Sequence, residues 1–150
     1  MIEGDEAVIR IVAAIAMNAR GETLLVRKRG TAPFMLPGGK PGEGESALEA
    51  LEREVREELD CGFDLSGCRA LGTFRAPAAN EPGFTVEGEL FAVSLEGVPR
   101  PWGEIEELRW VDPDGELPDP MAELARQHAL PQARLLKANA RSLSPCPSAD

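Results

Sequence analysis

The chain reads GKPGEGESALEALEREVREELDC from residue 39 to residue 61. Within this stretch, five residues separate Gly39 from Glu45, and seven more separate Glu45 from the block REVREE at residues 53–58. Apolar and charged residues then follow one another with the period of an α-helix over residues 47–59. The stretch therefore predicts a glycine-rich loop that leads directly into an acidic helix.

A local signal marks where this helix begins, because Ser46 and Glu49 form an S-x-x-E capping box. On a helical wheel, four apolar residues share one arc and form the stripe that we expect to face the core: Leu48, Leu51, Val55 and Leu59. Glu54, Glu57 and Glu58 occupy the adjoining arc, beside the buried stripe rather than opposite it. The wheel therefore separates these three carboxylates from the solvated face of the helix.

The three carboxylates suggest a metal site. Like charges within one helical turn repel one another, and a divalent cation would remove that repulsion. Carboxylate oxygens together with bound waters are the ligands that Mg²⁺ and Mn²⁺ prefer. No histidine or thiolate lies near enough in sequence to indicate zinc. We therefore expect Mg²⁺ (or Mn²⁺) to be held here against a phosphate chain.

Length and charge limit the classes of protein to which the chain can belong. Its 150 residues favour a single domain, which we expect to occupy residues 1–141, followed by a flexible tail over residues 142–150. A net charge of −10 disfavours binding to a nucleic acid polymer. No apolar run approaches the roughly 20 residues of a membrane span. Residues 1–6 lack the basic start of a signal peptide, so we expect a cytoplasmic protein without membrane association.

Cysteine usage excludes two further kinds of site. The chain has three cysteines, an odd number without a CxxC pair: Cys61, Cys68 and Cys146. Neither a zinc site nor a disulfide framework is therefore expected. We expect Cys61 and Cys68 to be buried or partly buried thiols.

Hydrophobic patterning predicts the remaining elements and the fold class. Strands are expected over residues 8–17, 23–29, 69–75, 85–95 and 107–111. The turn at residues 18–21 is expected to join the first two strands as a hairpin. A closing helix is expected over residues 119–139, kinked or split at Pro131. Strands around one strongly patterned helix, with a second helix at the end, indicate an α/β protein with a mixed sheet.

The acidic stretch resembles the Nudix box, G-x5-E-x7-R-E-U-x-E-E-x-G-U, in which U is an aliphatic residue. The matching residues are Gly39, Glu45, Arg53, Glu54, Val55, Glu57 and Glu58. Asp60 departs from the pattern, because it stands where the box has a glycine that would cap the helix in the left-handed conformation. The resemblance implies a Nudix-like α/β/α sandwich with a mixed, mostly antiparallel-edged central sheet.

The resemblance also implies roles for the acidic residues of the box. Glu57 and Glu58 would be the principal metal ligands, and Glu54 would be a ligand or the base that deprotonates water. Glu45 would support the site through a water or a second metal. Arg53 would orient Glu57 and its neighbours.

The resemblance extends these roles to the glycine loop and to a loop beyond the box. The Gly38 carbonyl would be a further metal ligand, and Gly39 would let the loop approach closely. In several branches of the family a later acidic residue completes the site. Here that residue is expected to be Glu104, with Glu107 as the second choice and a merely solvated loop as the alternative.

Three residues outside the box are candidates for substrate binding. Arg27 and Arg29 alternate on the second predicted strand near the glycine loop, so one of them is expected to meet phosphate or base, with a surface role equally open. Asp119 falls where the nucleoside-triphosphate branch has a base-contacting residue, although a helix N-cap would explain it as well. His128, the single histidine, is expected to be a surface or packing residue.

The function that the resemblance implies is metal-dependent hydrolysis of a phosphoanhydride bond in a nucleoside triphosphate or related nucleoside diphosphate compound. An ADP-ribose or nucleotide-sugar pyrophosphatase is the alternative enzyme. The chain contains no tyrosine, so the post-box tyrosine associated with diadenosine polyphosphate hydrolases is missing. A catalytically weak nucleotide-binding module is the alternative of another class. The expected partner is a small-molecule nucleotide, and homodimerisation is left open.

Overall fold

The computed structural model describes residues 7–143, and the side chains of residues 7–140. Within these described residues, eight strands and two α-helices follow one another in chain order, with one π-helical turn, Ala125–Ala129, before the second α-helix. The strands are β1 (Val8–Ala16), β2 (Thr23–Lys28), β3 (Gly38–Gly39), β4 (Gly62–Phe63), β5 (Arg69–Pro77), β6 (Thr85–Val93), β7 (Leu95–Glu96) and β8 (Ile105–Val111). The helices are α1 (Ala47–Leu59) and α2 (Leu130–Leu143). None of the helices described is long and apolar enough to cross a membrane, and the cytoplasmic location stays a prediction.

The central sheet has four strands in the order β3-β1-β6-β5. β1 and β6 run parallel along their whole length, from Val8 opposite Thr85 to Ala16 opposite Val93. The pairings of β1 with β3 and of β5 with β6 are antiparallel. β2 pairs with β8, and β4 with β7, in two smaller antiparallel sheets. The sheet is therefore mixed with antiparallel edges, as predicted.

Alternation along β1 divides the core between the two faces of the sheet. Val12 and Ala14 pack in a cluster with the buried residues of α1, whereas Ala13 and Ile15 pack in a second cluster with the π-helical turn and α2. One helical layer therefore covers each face. The α/β/α sandwich expected from the resemblance is confirmed.

Helix α1 has the predicted bounds and the predicted start. The Ser46 side chain accepts the Glu49 backbone N–H, and the Glu49 side chain accepts the Ser46 N–H, which completes the capping box. The prediction that Leu48 belongs to the core stripe is wrong, because this first-turn residue is 37% exposed. Ala50 is fully buried, and Glu58 is buried within the same arc. The core-facing arc therefore includes one of the three carboxylates.

The predicted hairpin between the first two strands is confined to its turn. β1 and β2 meet only through a bridge between Met17 and Thr23, because β3 and β6 occupy the two edges of β1. The turn itself is present, with the Gly21 N–H donating to the Asn18 carbonyl at 3.0 Å. The chain therefore leaves the central sheet at this turn and enters the smaller sheet with β8.

The closing helix begins later than predicted. Residues 119–122 are not helical, and the Asp119–Pro120 peptide bond is cis, so Asp119 does not cap a helix. The predicted interruption is present as a change of helix type, since the π-helical turn ends at Ala129 and Pro131 is the second residue of α2. α2 continues to Leu143, beyond the predicted start of the tail at residue 142. Residues 144–150 of that tail lie outside the described residues.

Candidate functional site

A cavity of about 710 Å³ opens beside the acidic face of α1. Four carboxylates, two lysines and the glycine pair of β3 line one part of it: Glu54, Glu57, Glu58, Glu104, Lys28, Lys40, Gly38 and Gly39. Apolar side chains from β1, β6 and the segment before α2 line another part: Ile9, Ile11, Val86, Leu124 and Ala125. The cavity therefore offers charged and apolar walls to one ligand, and its volume suits a small molecule.

Glu58 is the buried acid of this cavity, since only 7% of its surface is exposed. Its Oε1 accepts the backbone N–H of Gly38 at 3.1 Å. Burial raises the pKa of the Glu58 carboxyl to about 8, and the nearby charges of Glu54 and Glu104 act in the same direction. The Gly38 N–H and Lys28 oppose the shift without cancelling it. A divalent cation would stabilise the charge of a carboxylate held here.

Glu54 and Glu57 lie beside Glu58 but differ in exposure, with side chains 15% and 58% exposed. Burial raises the pKa of the Glu54 carboxyl above its ordinary value, while the hydrogen bond from Arg53 opposes the shift. Gly39 lies directly against Glu54, so a Cβ at this position would overlap the carboxylate. Glycine at position 39 therefore allows the loop to approach the acidic helix closely, which is the role expected of Gly39.

Arg53 joins the glycine loop to the acidic face of α1. Its Nε donates to Glu45 at 2.7 Å, and its Nη1 donates to Glu54 at 3.1 Å and to Glu57 at 3.2 Å. Its Nη2 donates to the Lys40 carbonyl at 3.1 Å. The Arg53 guanidinium and the Gly42 N–H lower the pKa of Glu45 to about 2. Glu45 is not among the residues that line the cavity, and it contacts the carboxylates through Arg53.

The loop before β8 brings Glu104 into the cavity, where its charge acts on Glu58. Glu107, the second choice in the sequence, does not line the cavity. Its carboxylate instead accepts hydrogen bonds from Arg27 at 3.3 Å and from Arg109 at 3.2 Å. The structure therefore places Glu104, and not Glu107, beside the acidic helix.

The arginines proposed for substrate binding lie outside the cavity lining. Arg27 bonds to Glu107 and to the Thr31 carbonyl, and Arg29 bonds to Glu106 and to the Gly103 carbonyl. Lys28, between them, lines the cavity instead. Asp119 is likewise absent from the cavity lining, so the structure does not bring it together with the acidic residues.

Lys28 could have been found from strand alternation. Leu24 and Val26 pack in the core cluster that contains α1, whereas Leu25 packs on the other face. Lys28 continues the series of Leu24 and Val26 and so reaches the side of α1. Lys40 carries no periodic signal of this kind, because it lies in an irregular loop.

The remaining titratable candidates lie away from the cavity. The His128 ring stacks on Phe74 with centroids 5.1 Å apart, and its Nε2 lies 2.9 Å from the Arg75 carbonyl oxygen, so it is the packing residue that was expected. Cys61 is buried and Cys68 is partly buried, as predicted. Burial raises the pKa of both thiols. Cys146 lies outside the described residues.

Residues 8–132 match the family model of the NUDIX domain. The chain belongs to the Nudix family. A relative from Bacillus subtilis (strain 168), named "Putative 8-oxo-dGTP diphosphatase", is 34% identical over 106 residues, which cover 69% of this chain and 66% of the relative. A Danio rerio relative, "8-oxo-dGDP phosphatase NUDT18", is 45% identical over 56 residues, which cover 34% of this chain and 17% of that protein. The matches thus span less than two thirds of either relative.

A solved structure shares the architecture of this Nudix domain. The MutT NUDIX hydrolase from Burkholderia pseudomallei superposes with a TM-score of 0.67 at 25% sequence identity. The superposition covers 85% of this chain and 96% of the Burkholderia chain. The match therefore extends over nearly the whole of the Burkholderia chain.

The donor atoms of the Nudix domain suit a hard divalent cation. Among the side chains of residues 7–140, no three acidic, histidine or cysteine groups are already close enough together to hold a metal. Mg²⁺ needs fewer protein ligands than that, because it keeps several waters and binds one or two carboxylates together with substrate phosphates. Glu54, Glu57, Glu58 and the Gly38 carbonyl offer only oxygen atoms. The buried Glu58 carboxylate is the position at which such a cation would be most stabilising, because burial disfavours its charge.

Proposed function

We propose that this Nudix domain hydrolyses a phosphoanhydride bond in a nucleoside triphosphate or a related nucleoside diphosphate compound. The buried Glu58 carboxyl carries the proposal, because it is held by the Gly38 N–H in the wall of a cavity that four other acids also line. A cavity with this much unneutralised negative charge is suited to a ligand that arrives with cations. A nucleotide accompanied by Mg²⁺ or Mn²⁺ has that chemistry.

Glu57, Glu58 and the Gly38 carbonyl would hold the metal, and Glu104 would add a ligand from the loop before β8. When bound, a divalent cation would polarise the phosphate oxygens and lower the pKa of an attacking water. The chain's own cations, Lys28 and Lys40, line the same cavity and would contact the outer phosphates.

Glu54 is the residue that we propose as the base. Its side chain is 15% exposed, so it is screened from bulk water, and Arg53 holds its carboxylate at 3.1 Å. Burial raises the pKa of Glu54 above its ordinary value, which makes its carboxylate a stronger proton acceptor. Glu45 fixes the other side of the Arg53 guanidinium and so orients the base indirectly.

The apolar part of the cavity would take the nucleobase. Ile9, Ile11 and Val86 supply aliphatic surface from the paired strands β1 and β6. The names of the Bacillus and Danio relatives refer to 8-oxo-dGTP and 8-oxo-dGDP. We therefore propose purine nucleoside phosphates, with 8-oxo-dGTP as the first substrate to test.

The test is a substrate panel containing the four dNTPs, 8-oxo-dGTP, 8-oxo-dGDP and ADP-ribose, assayed for phosphate and pyrophosphate release with Mg²⁺ and with EDTA. Wild type is compared with Glu58→Gln and with the control Glu52→Gln, which removes an acid of α1 that does not line the cavity. We expect hydrolysis by wild type and by the control, and its loss in Glu58→Gln and in EDTA. Equal rates for all three proteins would refute the site. Nucleotide binding without turnover by wild type would favour a regulatory module.

A further inference from the structure

Asp60, the one departure from the Nudix box, has contacts that a glycine at this position could not make. Its backbone is left-handed, with φ 55° and ψ 39°, as the capping glycine of the box would be. Its Oδ2 accepts hydrogen bonds from Arg100 Nε at 2.9 Å and from Arg100 Nη2 at 2.7 Å. The substitution therefore adds an ion pair between the end of α1 and a distant loop.

Arg100 begins a segment that lies along the end of α1. We call residues 100–104 the strap. Its backbone is fixed to the helix, since the Arg100 N–H donates to the Leu59 carbonyl at 3.0 Å and the Trp102 N–H donates to the Glu58 carbonyl at 3.1 Å. The Arg100 guanidinium lies over the Trp102 ring, 4.5 Å from the centroid. The Asp60 charge therefore acts on Trp102 through a single arginine.

Gly103 shows how closely the strap approaches the helix. Its φ is +57°, and a Cβ there would lie 2.7 Å from the Glu57 carbonyl oxygen, which no side chain permits without displacement. On its other side the strap is held by Arg29, whose N–H donates to the Glu104 carbonyl at 2.8 Å. Trp102, Gly103 and Glu104 all line the acidic cavity. Displacement of the strap would therefore move two side chains of the site.

We propose that Asp60 is a positioning residue, which acts through Arg100 to hold Trp102 and Glu104 at the cavity. The effect on turnover rests on the proposed hydrolase function, whereas the effect on the strap does not. The competing account is that Asp60 serves only to end the helix. The two accounts predict different activities when glycine replaces Asp60.

If Asp60 only ends the helix, Asp60→Gly relieves left-handed strain, raises Tm by about 2 to 4 °C and leaves activity unchanged. If Asp60 positions the strap, the same variant keeps or gains stability but loses activity. Asp60→Asn separates the two causes, because asparagine tolerates the left-handed conformation and lacks the charge. An exposed ion pair or an exposed cation–π contact each changes a conformational equilibrium constant by about a factor of a few. We therefore expect kcat/KM to fall about three- to tenfold in both variants.

The strap is observed directly by ¹⁹F NMR of nucleotide-free protein labelled with 5-fluorotryptophan. The chain has two tryptophans, so Trp110 in β8 provides an internal reference for Trp102. We expect the Trp102 resonance to shift and broaden in Asp60→Asn, Asp60→Gly and Arg100→Gln, while the Trp110 resonance stays in place. The matched control is Arg134→Gln, which releases an arginine of α2 from the Pro113 carbonyl and is expected to move neither resonance.

A double variant, Asp60→Asn with Arg100→Gln, tests whether both residues act in one chain of contacts. Its kcat/KM should equal that of the worse single variant rather than the product of the two losses. An unchanged Trp102 resonance in Asp60→Asn would overturn the proposal, whether or not any nucleotide is hydrolysed. A shifted resonance together with wild-type kcat/KM would also overturn it, because the strap would then have no influence on the site.

Discussion

Replacement of Glu58 by glutamine should make the metal-free protein more stable at alkaline pH while it removes activity. Glutamine has nearly the same shape, and its amide oxygen can still accept the Gly38 N–H that now donates to Glu58 at 3.1 Å. The substitution therefore removes the buried charge and retains the packing and the hydrogen bond. Without this effect of the charge, substitution of a residue that is only 7% exposed would be expected to destabilise the protein.

The magnitude follows from the pKa of Glu58, which burial raises from an ordinary 4.5 to about 8. Between these two values the native state keeps a proton that the unfolded state has released, so stability falls as the pH rises through this window. The full shift corresponds to at most about 5 kcal/mol, since each pKa unit is worth about 1.4 kcal/mol. Relaxation around the charge reduces this value, and we expect Glu58→Gln to be more stable by about 2 to 4 kcal/mol at pH 8.

The assay is urea unfolding in EDTA at pH 4.5, 6 and 8, with Glu52→Gln as the matched control. The advantage of Glu58→Gln should be near zero at pH 4.5 and should grow steadily towards pH 8. The control should track wild type at each pH. An advantage that is independent of pH, or a Glu58→Gln protein less stable than wild type at pH 8, would refute the idea that Glu58 is a destabilising buried charge. Added Mg²⁺ should reduce the difference by stabilising wild type.

Three further outcomes are expected. Leu51→Ala should lower the free energy of unfolding by about 2 to 5 kcal/mol in urea titrations, because Leu51 is fully buried between α1 and the sheet; a loss below about 1 kcal/mol would contradict that packing. Arg53→Met should lower kcat about 10- to 100-fold, because Glu45 and Glu54 lose their shared partner, whereas unchanged kcat would exclude an orienting role. Lys28→Met should raise KM for a nucleoside triphosphate about tenfold and should lack the loss in free energy of unfolding expected of Leu51→Ala. An unchanged KM would place the phosphates elsewhere.

Local signals in the sequence were sufficient for α1 and for its acidic face. The capping box at Ser46 is determined by a few neighbouring residues and was predicted, whereas Asp60 was marked only as a departure from the capping glycine of the box and adopts the left-handed conformation in the structure. Glu58 was expected beside the buried stripe, but the structure places it within the buried arc, where Gly38 contacts it. A helical wheel gives the angle of a side chain and does not show how far the neighbouring loop covers it.

Pairings between distant residues account for what the sequence did not predict. The turn after β1 indicated a hairpin, but β3 and the remote strand β6 already occupy both edges of β1. Arg27 and Arg29 were expected near phosphate because they alternate on a strand near the glycine loop. Their ion-pair partners, Glu107 and Glu106, are far from them in sequence. These ion pairs hold both arginine side chains outside the cavity lining. Nothing near residue 28 in the sequence reveals that pairing.

The contribution of the loop before β8 to the cavity was predicted only in part. Glu104 was the later acidic residue expected to complete the site, and the structure places it at the cavity. Its catalytic role stays a prediction. The contact between Asp60 and Arg100 spans forty positions and carries no local signature, so the sequence marked Asp60 only as an irregular helix end.

Hydrolysis in H₂¹⁸O, followed over time by ³¹P NMR of the products, tests the central claim most directly. With Mg²⁺ and the best nucleotide of the panel, wild type and Glu52→Gln should release a phosphate or pyrophosphate, and one product should contain ¹⁸O bonded to phosphorus. Glu58→Gln should form this product more slowly by about 100-fold or more, although its fold is intact. Equal initial rates of ¹⁸O incorporation by Glu58→Gln and wild type would contradict the claim that the cavity around Glu58 is where water attacks the phosphoanhydride.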